Sequence, residues 1–142
     1  MIRPEIPQKL RLKSGQHIAV LNAPDQYVAD LMVLEPMATI TTEITDPPYD
    51  VIQLFVRDRQ DIELQASVVI KALTHGGILW FTYPKKSGPI KSDLARDTGW
   101  EILQSLGWDF VTLISIDETW SAHRYRPHQS KKNASNKVIS GE

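Results

Sequence analysis

The chain has no cysteine among its 142 residues, and several common site signatures are also missing. Without cysteine there is no disulfide framework, no thiol catalysis and no Cys-ligated zinc or iron–sulfur cluster. Its four histidines show no HExxH or HxH spacing, so we predict no metal site. No serine lies in a GxSxG elbow and no GxxxxGK[ST] loop is present, which argues against a hydrolase triad and against ATP hydrolysis.

The sequence also lacks a strong charge of one sign and any long apolar run. Its net charge is −1 and hydrophobic residues make up 42% of it. No window approaches the roughly 18 apolar residues of a membrane span, and the start of the chain has no signal-peptide pattern. With no global field to attract nucleic acid, we predict a cytoplasmic protein with neither a nucleic-acid nor a membrane partner. The oligomeric state is left open.

Composition changes near the end of the chain. Residues 127–142 are rich in Ser, Asn and Lys, show no periodicity, and carry three lysines against one glutamate. Such a segment cannot bury enough apolar surface to become ordered. We therefore predict a single α/β domain at residues 1–126 and a disordered polar and basic tail at residues 127–142.

Apolar runs alternate with helical patterns along most of the chain. Strands are predicted at residues 17–21, 49–56, 78–83, 109–116 and 120–125, and helices after Asn22, after the N-cap Asp58, and from about Asp93 to Leu106. Gly76 and Gly77 are predicted to close the second helix. This order predicts a Rossmann-like, mostly parallel sheet with helices on both faces and a C-terminal antiparallel hairpin.

One short strand does not fit a standard crossover. The β-branched run Thr39–Glu43 is separated from the strand at Tyr49 by only about six residues, whereas a parallel crossover usually needs a dozen or more. This strand is therefore either very short and at an edge, or not parallel to its successor.

The loops that leave the predicted strands carry most of the charged side chains. In open α/β sheets, ligands bind beyond the carboxyl ends of the strands, at the switch in strand order. We expect the loops after residues 21, 56, 83 and 116 to share that edge. Their candidate pocket-edge residues are Asn22, Asp25, Arg57, Arg59, Asp117, Glu118 and Trp120.

The most distinctive motif is a basic loop that follows the strand at residues 78–83. It contains Lys85, Lys86, Ser87, Gly88, Lys91 and Ser92. The helix predicted from Asp93 would add free N–H groups and a positive dipole end, so the loop is predicted to bind a phosphate or carboxylate. The alternative is a solvated loop in which Ser92 or Asp93 caps the helix.

Catalytic residues are not identified. Asp117 and Glu118, with Arg96 and Asp97, could hold a metal or act as acid and base, since paired carboxylates can titrate apart. A pair of acidic residues in a hairpin is more often turn chemistry.

The loop after the first strand contains no glycine. A sheet that binds a dinucleotide or S-adenosylmethionine normally has glycines there, whereas this loop reads Asn22-Ala23-Pro24-Asp25. We therefore predict no cofactor and regard S-adenosylmethionine as a disfavoured alternative. Glu43 is the only acidic stand-in for a ribose-binding residue after the second strand.

The order of motifs resembles an uncharacterised bacterial family of unknown function, small domains with a methyltransferase-like Rossmann topology. The resemblance spans residues 8–126 and rests on Lys9-Leu10, Lys13-Ser14-Gly15, Asn22-Ala23-Pro24, Asp50-Val51-Ile52, Phe55-Val56-Arg57, the 83–88 loop, Asp93-Leu94, Arg96-Asp97 and the 117–121 hairpin. It implies a fold and no established activity. The 50–52 strand, residues 76–80 and the closing hairpin are also similar to parts of S-adenosylmethionine-dependent methyltransferases.

Two functions follow from these observations, and whether the chain is an enzyme stays open. The main prediction is a small Rossmann-like binding module that recognises a small anionic ligand or a protein partner at the carboxyl edge of its strands. The alternative is a methyltransferase-like enzyme that uses S-adenosylmethionine with a degenerate cofactor loop. A third, weaker interpretation is a module whose basic tail engages acidic surfaces.

Overall fold

The computed structural model describes residues 2–129. Four helices and six strands alternate along them: α1 (Ile6–Lys9), β1 (His17–Leu21), α2 (Tyr27–Leu34), β2 (Thr39–Thr41), β3 (Tyr49–Phe55), α3 (Arg59–Ala72), β4 (Leu73–Pro84), α4 (Glu101–Ser105), β5 (Trp108–Ser115) and β6 (Trp120–Pro127). The tail predicted at residues 127–142 lies outside the described residues from residue 130 onward.

All six strands form one sheet in the order β2-β1-β3-β4-β6-β5. β1 pairs in parallel with both β2 and β3, and β3 pairs in parallel with β4. β6 is antiparallel to both of its neighbours, β4 and β5. The predicted fold class is confirmed: a mixed α/β sheet with helices on both faces and an antiparallel hairpin at its C-terminal end.

Each face of the sheet has its own apolar core. One core contains Ile62 of α3 and Leu103 of α4, and the other contains Ile6 of α1 and Leu31 of α2. Because side chains alternate along a strand, neighbouring residues of the central β3 serve different cores, with Ile52 in the first.

The short strand at residue 39 is an edge strand. β2 has only three residues, and it pairs with β1 rather than with β3, its successor in sequence. The connection from β2 to β3 returns past β1, with Ile44 packed against the core that contains α3. The hydroxyl of Tyr49 accepts hydrogen bonds from the backbone N–H groups of Thr45 and Asp46 and donates one to the carbonyl of Glu43. A few residues therefore complete a crossover for which a helix is usually required.

The start of α3 agrees with prediction and its end does not. The Asp58 carboxylate accepts the Asp61 N–H at 2.9 Å, and Asp61 accepts the Arg57 N–H at 2.8 Å, which together cap the helix. Gly76 and Gly77, predicted to close this helix, lie inside β4 instead. The helix stops at Ala72, and the extra residues between Leu73 and Ile78 form an irregularity in the pairing with β3.

The helix predicted from Asp93 to Leu106 is much shorter. α4 begins only at Glu101, and residues 93–100 form bends and one isolated bridge. Gly99 has a φ of +102°, a left-handed conformation that interrupts a helix. Leu94, Trp100 and Leu103 all pack onto the core, although Leu94 and Trp100 precede the helix, because loops and helices can both present apolar residues to a sheet.

Candidate functional site at the carboxyl edge of the sheet

The strand order reverses between β1 and β3. From β1 the chain moves outward to β2 and then returns to the other side at β3 and β4. Parallel strands end at the same edge, so the loops after β1, β3 and β4 and the β5–β6 hairpin all lie there. A reversal of this kind leaves a crevice between the diverging loops, which is where α/β sheets hold their ligands.

The loop after β1 contains two residues in the left-handed conformation that glycine most often supplies. Asn22 has a φ of +61° and Gln26 a φ of +75°. Asn is among the few non-glycine residues that adopt this region readily, whereas Gln does so at greater cost. The absence of glycine, on which the prediction of no cofactor depended, therefore does not prevent this loop from turning as a glycine loop turns.

A cleft of about 480 Å³ opens beside this loop, within the usual volume range of small-molecule sites. Its walls come from the N-terminal segment, the loop after β1 with α2, the end of β4 and the β5–β6 hairpin. The charged residues among them are Arg3, Asp25, Asp30, Lys85, Asp117 and Glu118. Four carboxylates face two cations, so the lining favours a ligand with positive charge over an anion.

The N-terminal segment forms one wall of the cleft. Arg3 donates from Nη2 to the carbonyls of Ser115 at 3.4 Å and Ile116 at 3.3 Å, which ties the segment to the hairpin. The backbone N–H of Ile2 donates to Asp30 at 3.3 Å. Sequence analysis missed these residues because no local pattern shows that residues 2–3 return to a hairpin more than a hundred positions later.

A chain of buried hydrogen bonds runs beneath the cleft. Tyr27 Oη donates to Gln53 Oε1 at 2.8 Å, and Gln53 Nε2 donates to Thr82 Oγ1 at 2.9 Å. Burial raises the pKa of Tyr27 well above its usual range, and the nearby Asp117 carboxylate adds to the rise. Tyr27 therefore keeps its proton and acts as a fixed donor that joins α2 to β3.

The hairpin residues have mostly structural contacts. Asp117 Oδ1 accepts the backbone N–H groups of Thr119 and Trp120, both at 2.8 Å, which is turn chemistry. Trp120 is buried, and its ring packs edge-to-face against Phe55. The Arg57 guanidinium lies 5.5 Å from the centre of that ring, a cation–π contact. Glu118 lines the cleft.

The basic loop after β4 folds onto the hairpin. Lys85 Nζ donates to Ser115 Oγ, and its backbone N–H donates to the Thr119 carbonyl at 2.7 Å. The loop turns back on itself where the Gly88 N–H donates to the Lys85 carbonyl at 3.0 Å. A separate pocket of about 330 Å³ is lined by Lys86, Gly88, Lys91 and Ser92. The loop and the acidic cleft therefore share Lys85.

The helix predicted to begin at Asp93 does not stand behind this loop, because α4 starts eight residues later, at Glu101. Asp93 instead accepts the backbone N–H of Arg59 at the start of α3 at 2.9 Å. Arg59 turns away from the cleft to pair with Glu101 at 3.1 Å. Ser92 Oγ accepts the Leu94 N–H at 3.0 Å. The dipole of the helix predicted from Asp93 is thus absent, and the Asp93 carboxylate occupies the start of α3 instead.

A second cleft, of about 500 Å³, lies on the opposite face at the same edge, and its lining includes Tyr83, Ser87 and Ser121. His123 is buried close to it, with Nε2 3.1 Å from the Tyr83 hydroxyl. Burial is the main reason that the pKa of His123 falls to about 4, and the charge of Arg96 lowers it further. The imidazole is therefore neutral near pH 7, enclosed by aromatic rings that include Trp100 and Phe110.

Residues 2–129 contain neither a cluster of metal ligands nor a helix that could span a membrane. No group of three or more His, Asp or Glu side chains in this part of the chain is placed to hold a metal ion. No helix in it is both long and apolar enough to cross a membrane.

No protein-family model and no curated protein sequence matches the chain. Solved structures do share its fold. The DhpI–S-adenosylhomocysteine complex aligns with 87% of this chain and 71% of its own, with 14% identity and a TM-score of 0.55. Magnesium protoporphyrin IX methyltransferase from Synechocystis PCC 6803, with bound S-adenosylhomocysteine, aligns over 89% and 80%, with 7% identity and a TM-score of 0.57. Sp1610 from Streptococcus pneumoniae, a putative tRNA (m1A22) methyltransferase in complex with S-adenosyl-L-methionine, aligns over 99% and 77%, with 12% identity and a TM-score of 0.57.

These similarities confirm the methyltransferase-like Rossmann fold. They contradict two predictions, that the chain is primarily a module for a small anion or a protein partner, and that no cofactor is involved. The similar structures contain S-adenosylmethionine or its demethylated product, and two are described as methyltransferases, which favours the alternative function. The prediction of no cofactor was wrong because it inferred the conformation of the loop from its lack of glycine. Asn22 and Gln26 take left-handed conformations without being glycine.

Proposed function

We propose that the chain is an S-adenosylmethionine-dependent methyltransferase-like enzyme that binds its cofactor at the carboxyl edge of the sheet. The observation that carries this proposal is the reversal of strand order between β1 and β3, with left-handed residues in the loop beside it. Structures of the same fold hold this cofactor or its product, which supports the choice of ligand.

The residues at this edge fit the chemical groups of the cofactor. Glu43 follows β2 by two residues and is exposed, so its carboxylate can accept hydrogen bonds from a ribose diol. The turned backbone from Asn22 to Gln26 runs along this edge, and residues 24–26 line the cleft of about 480 Å³. Asp25 and Asp30 complement the positive charge of an ammonium or sulfonium group.

When bound, the cofactor supplies an electrophilic methyl group on a positively charged sulfur. The chain's own part is to orient the two reactants and to keep water out. The wall formed by Arg3 and the hairpin shields the cleft from one side. Lys85, held by Ser115, and Glu118 lie across from the loop after β1, where they can position an acceptor and take its proton.

Isothermal titration with S-adenosylhomocysteine tests the proposal, with pyrophosphate and free methionine as comparison ligands. We expect saturable binding of the nucleoside ligand. Glu43→Gln should weaken it by about tenfold or more, because a hydrogen bond to a charged group contributes about 1.5–3 kcal/mol. Glu63→Gln, at an exposed position on α3, is the matched control and should leave the affinity unchanged. Equal affinities for the parent, Glu43→Gln and Glu63→Gln would show that Glu43 does not contact the ligand. Absence of binding to the parent would refute the proposal.

A further inference from the structure

Three arginines gather at the amino edge of the sheet, far from the candidate cofactor edge. Arg124 and Arg126 are two residues apart on β6, so their side chains share one face about 6.7 Å apart. Arg11 is brought close to them by its neighbour in sequence, Leu10, whose carbonyl accepts the Trp80 indole N–H at 3.0 Å. Trp80 is the cross-strand partner of Arg124, which places residues 10–11 beside it.

The positive charge of this group is not compensated within the described residues. None of the three arginines forms an ion pair in residues 2–129. Arg124 Nε is buried without a hydrogen-bond partner there. Burial lowers the pKa of Arg124, and the charges of Arg11 and Arg126 lower it further. Asp109, the register partner of Arg126, pairs with His128 at 2.7 Å instead.

More cations surround the group. A cleft of about 580 Å³ is lined by Lys9, Arg11 and Lys13, with Glu35 as its acidic residue. The net charge of the whole chain is −1, but the lining of this cleft carries three cations and one carboxylate.

We propose that this amino-edge cluster, formed by Arg11, Arg124 and Arg126 with Lys9 and Lys13, binds the phosphodiester backbone of a nucleic acid strand. Guanidinium groups match the geometry of phosphate oxygens and present two parallel donors to them. Affinity for a phosphate backbone depends on the cations at the contact and not on the total charge of the protein. The prediction of no nucleic-acid partner used the total charge, which averages over this cluster. The proposal does not depend on the cofactor site, which lies at the opposite edge.

Fluorescence anisotropy with a labelled single-stranded RNA tests the proposal, using a strand of about 20 nucleotides so that it exceeds the roughly 4–16 nucleotides of such sites. The variant is Arg11→Gln/Arg126→Gln, since both side chains are exposed and the fold should survive. Each phosphate contact contributes about −0.7 to the slope of log K against log salt, so losing two should flatten the slope by about 1.4. At about 50 mM salt, this change in slope corresponds to roughly an eightfold loss of RNA affinity per contact, or about 60-fold for the double variant.

The charge-matched control is Lys86→Gln/Lys91→Gln, which removes two exposed cations from the opposite edge. It should keep the parent affinity and slope. Equal losses in the two variants would show diffuse attraction and overturn the assignment to this cluster, as would absence of RNA binding by the parent. A polyglutamate peptide of the same charge should bind more weakly than RNA. Binding that is equally tight would overturn the phosphodiester assignment.

Discussion

Acidification should destabilise the fold through His123. This side chain is only 1% exposed, and burial lowers its pKa from about 6.5 to about 4. Above pH 6.5 the imidazole is neutral in both the folded and the unfolded chain, so its full contribution to stability is present. Between pH 6.5 and 4 His123 is protonated in the unfolded chain but stays neutral in the folded chain, so the free energy of unfolding falls as the pH falls. Below about pH 4 the loss is complete.

The size of the loss follows from the shift. About 2.5 pKa units at about 1.36 kcal/mol each give roughly 3 kcal/mol of unfolding free energy. Because carboxylates also titrate in this range, the quantity to measure is the stability difference between the parent and His123→Gln, by urea unfolding from about pH 7.5 to pH 4. The unfolding free energy of the parent should fall by about 3 kcal/mol relative to that of His123→Gln as the pH falls over this range. His75→Gln, which removes an exposed imidazole, is the matched control.

The imidazole can also be followed directly. In the folded protein, the carbon resonances of the His123 ring should hold their neutral-state positions down to about pH 5. A His123 titration midpoint between pH 6 and 7 would show that burial does not lower its pKa. A stability difference between parent and His123→Gln that does not change with pH would show the same. Either result would mean that the ring is hydrated or that Nδ1, which has no partner in the described structure, has one in solution.

Two further predictions concern stability. Tyr27→Phe leaves the buried Gln53 Oε1 without its donor and should lower the unfolding free energy by about 1–3 kcal/mol. Tyr125→Phe changes a tyrosine that is also buried, but its hydroxyl makes no hydrogen bond within residues 2–129, so the loss should be smaller. The reverse order in urea unfolding would contradict this expectation. Asp58→Ala removes the cap of α3 and should cost about 1 kcal/mol, whereas Asp58→Asn, an equally good cap, should cost little. Equal thermal midpoints for Ala and Asn would show that the cap contributes nothing.

Much of the fold could be predicted because local chemistry and topology agree. Residues 17–21 and 49–55 are short, mostly apolar runs bounded by turn residues, which indicates strands, and Asp58 with Asp61 marks the start of α3. Errors arose where two local patterns compete. Gly76 and Gly77 suit a helix end, but β4 extends through them and pairs with β3 on either side of an irregularity. The apolar spacing after Asp93 suits a helix, but the left-handed Gly99 interrupts it.

The candidate site was only partly accessible to sequence analysis. The carboxyl-edge rule brings the loops after β1, β3 and β4 to one place without coordinates. Composition could not show that Asn22 and Gln26 take left-handed conformations, because backbone shape depends on the anchors at both ends of a loop. The contact of Arg3 with residues 115–116 is equally hidden, since its partners are distant in sequence.

Amide chemical-shift mapping shows whether the carboxyl edge at β1 and β3 binds an S-adenosyl ligand. During titration with S-adenosylhomocysteine, we expect saturable shifts in residues 22–27, at Glu43 and in residues 56–58, with residues 9–13 and 124–126 unchanged. Absence of saturable shifts, or shifts confined to the amino edge, would contradict it.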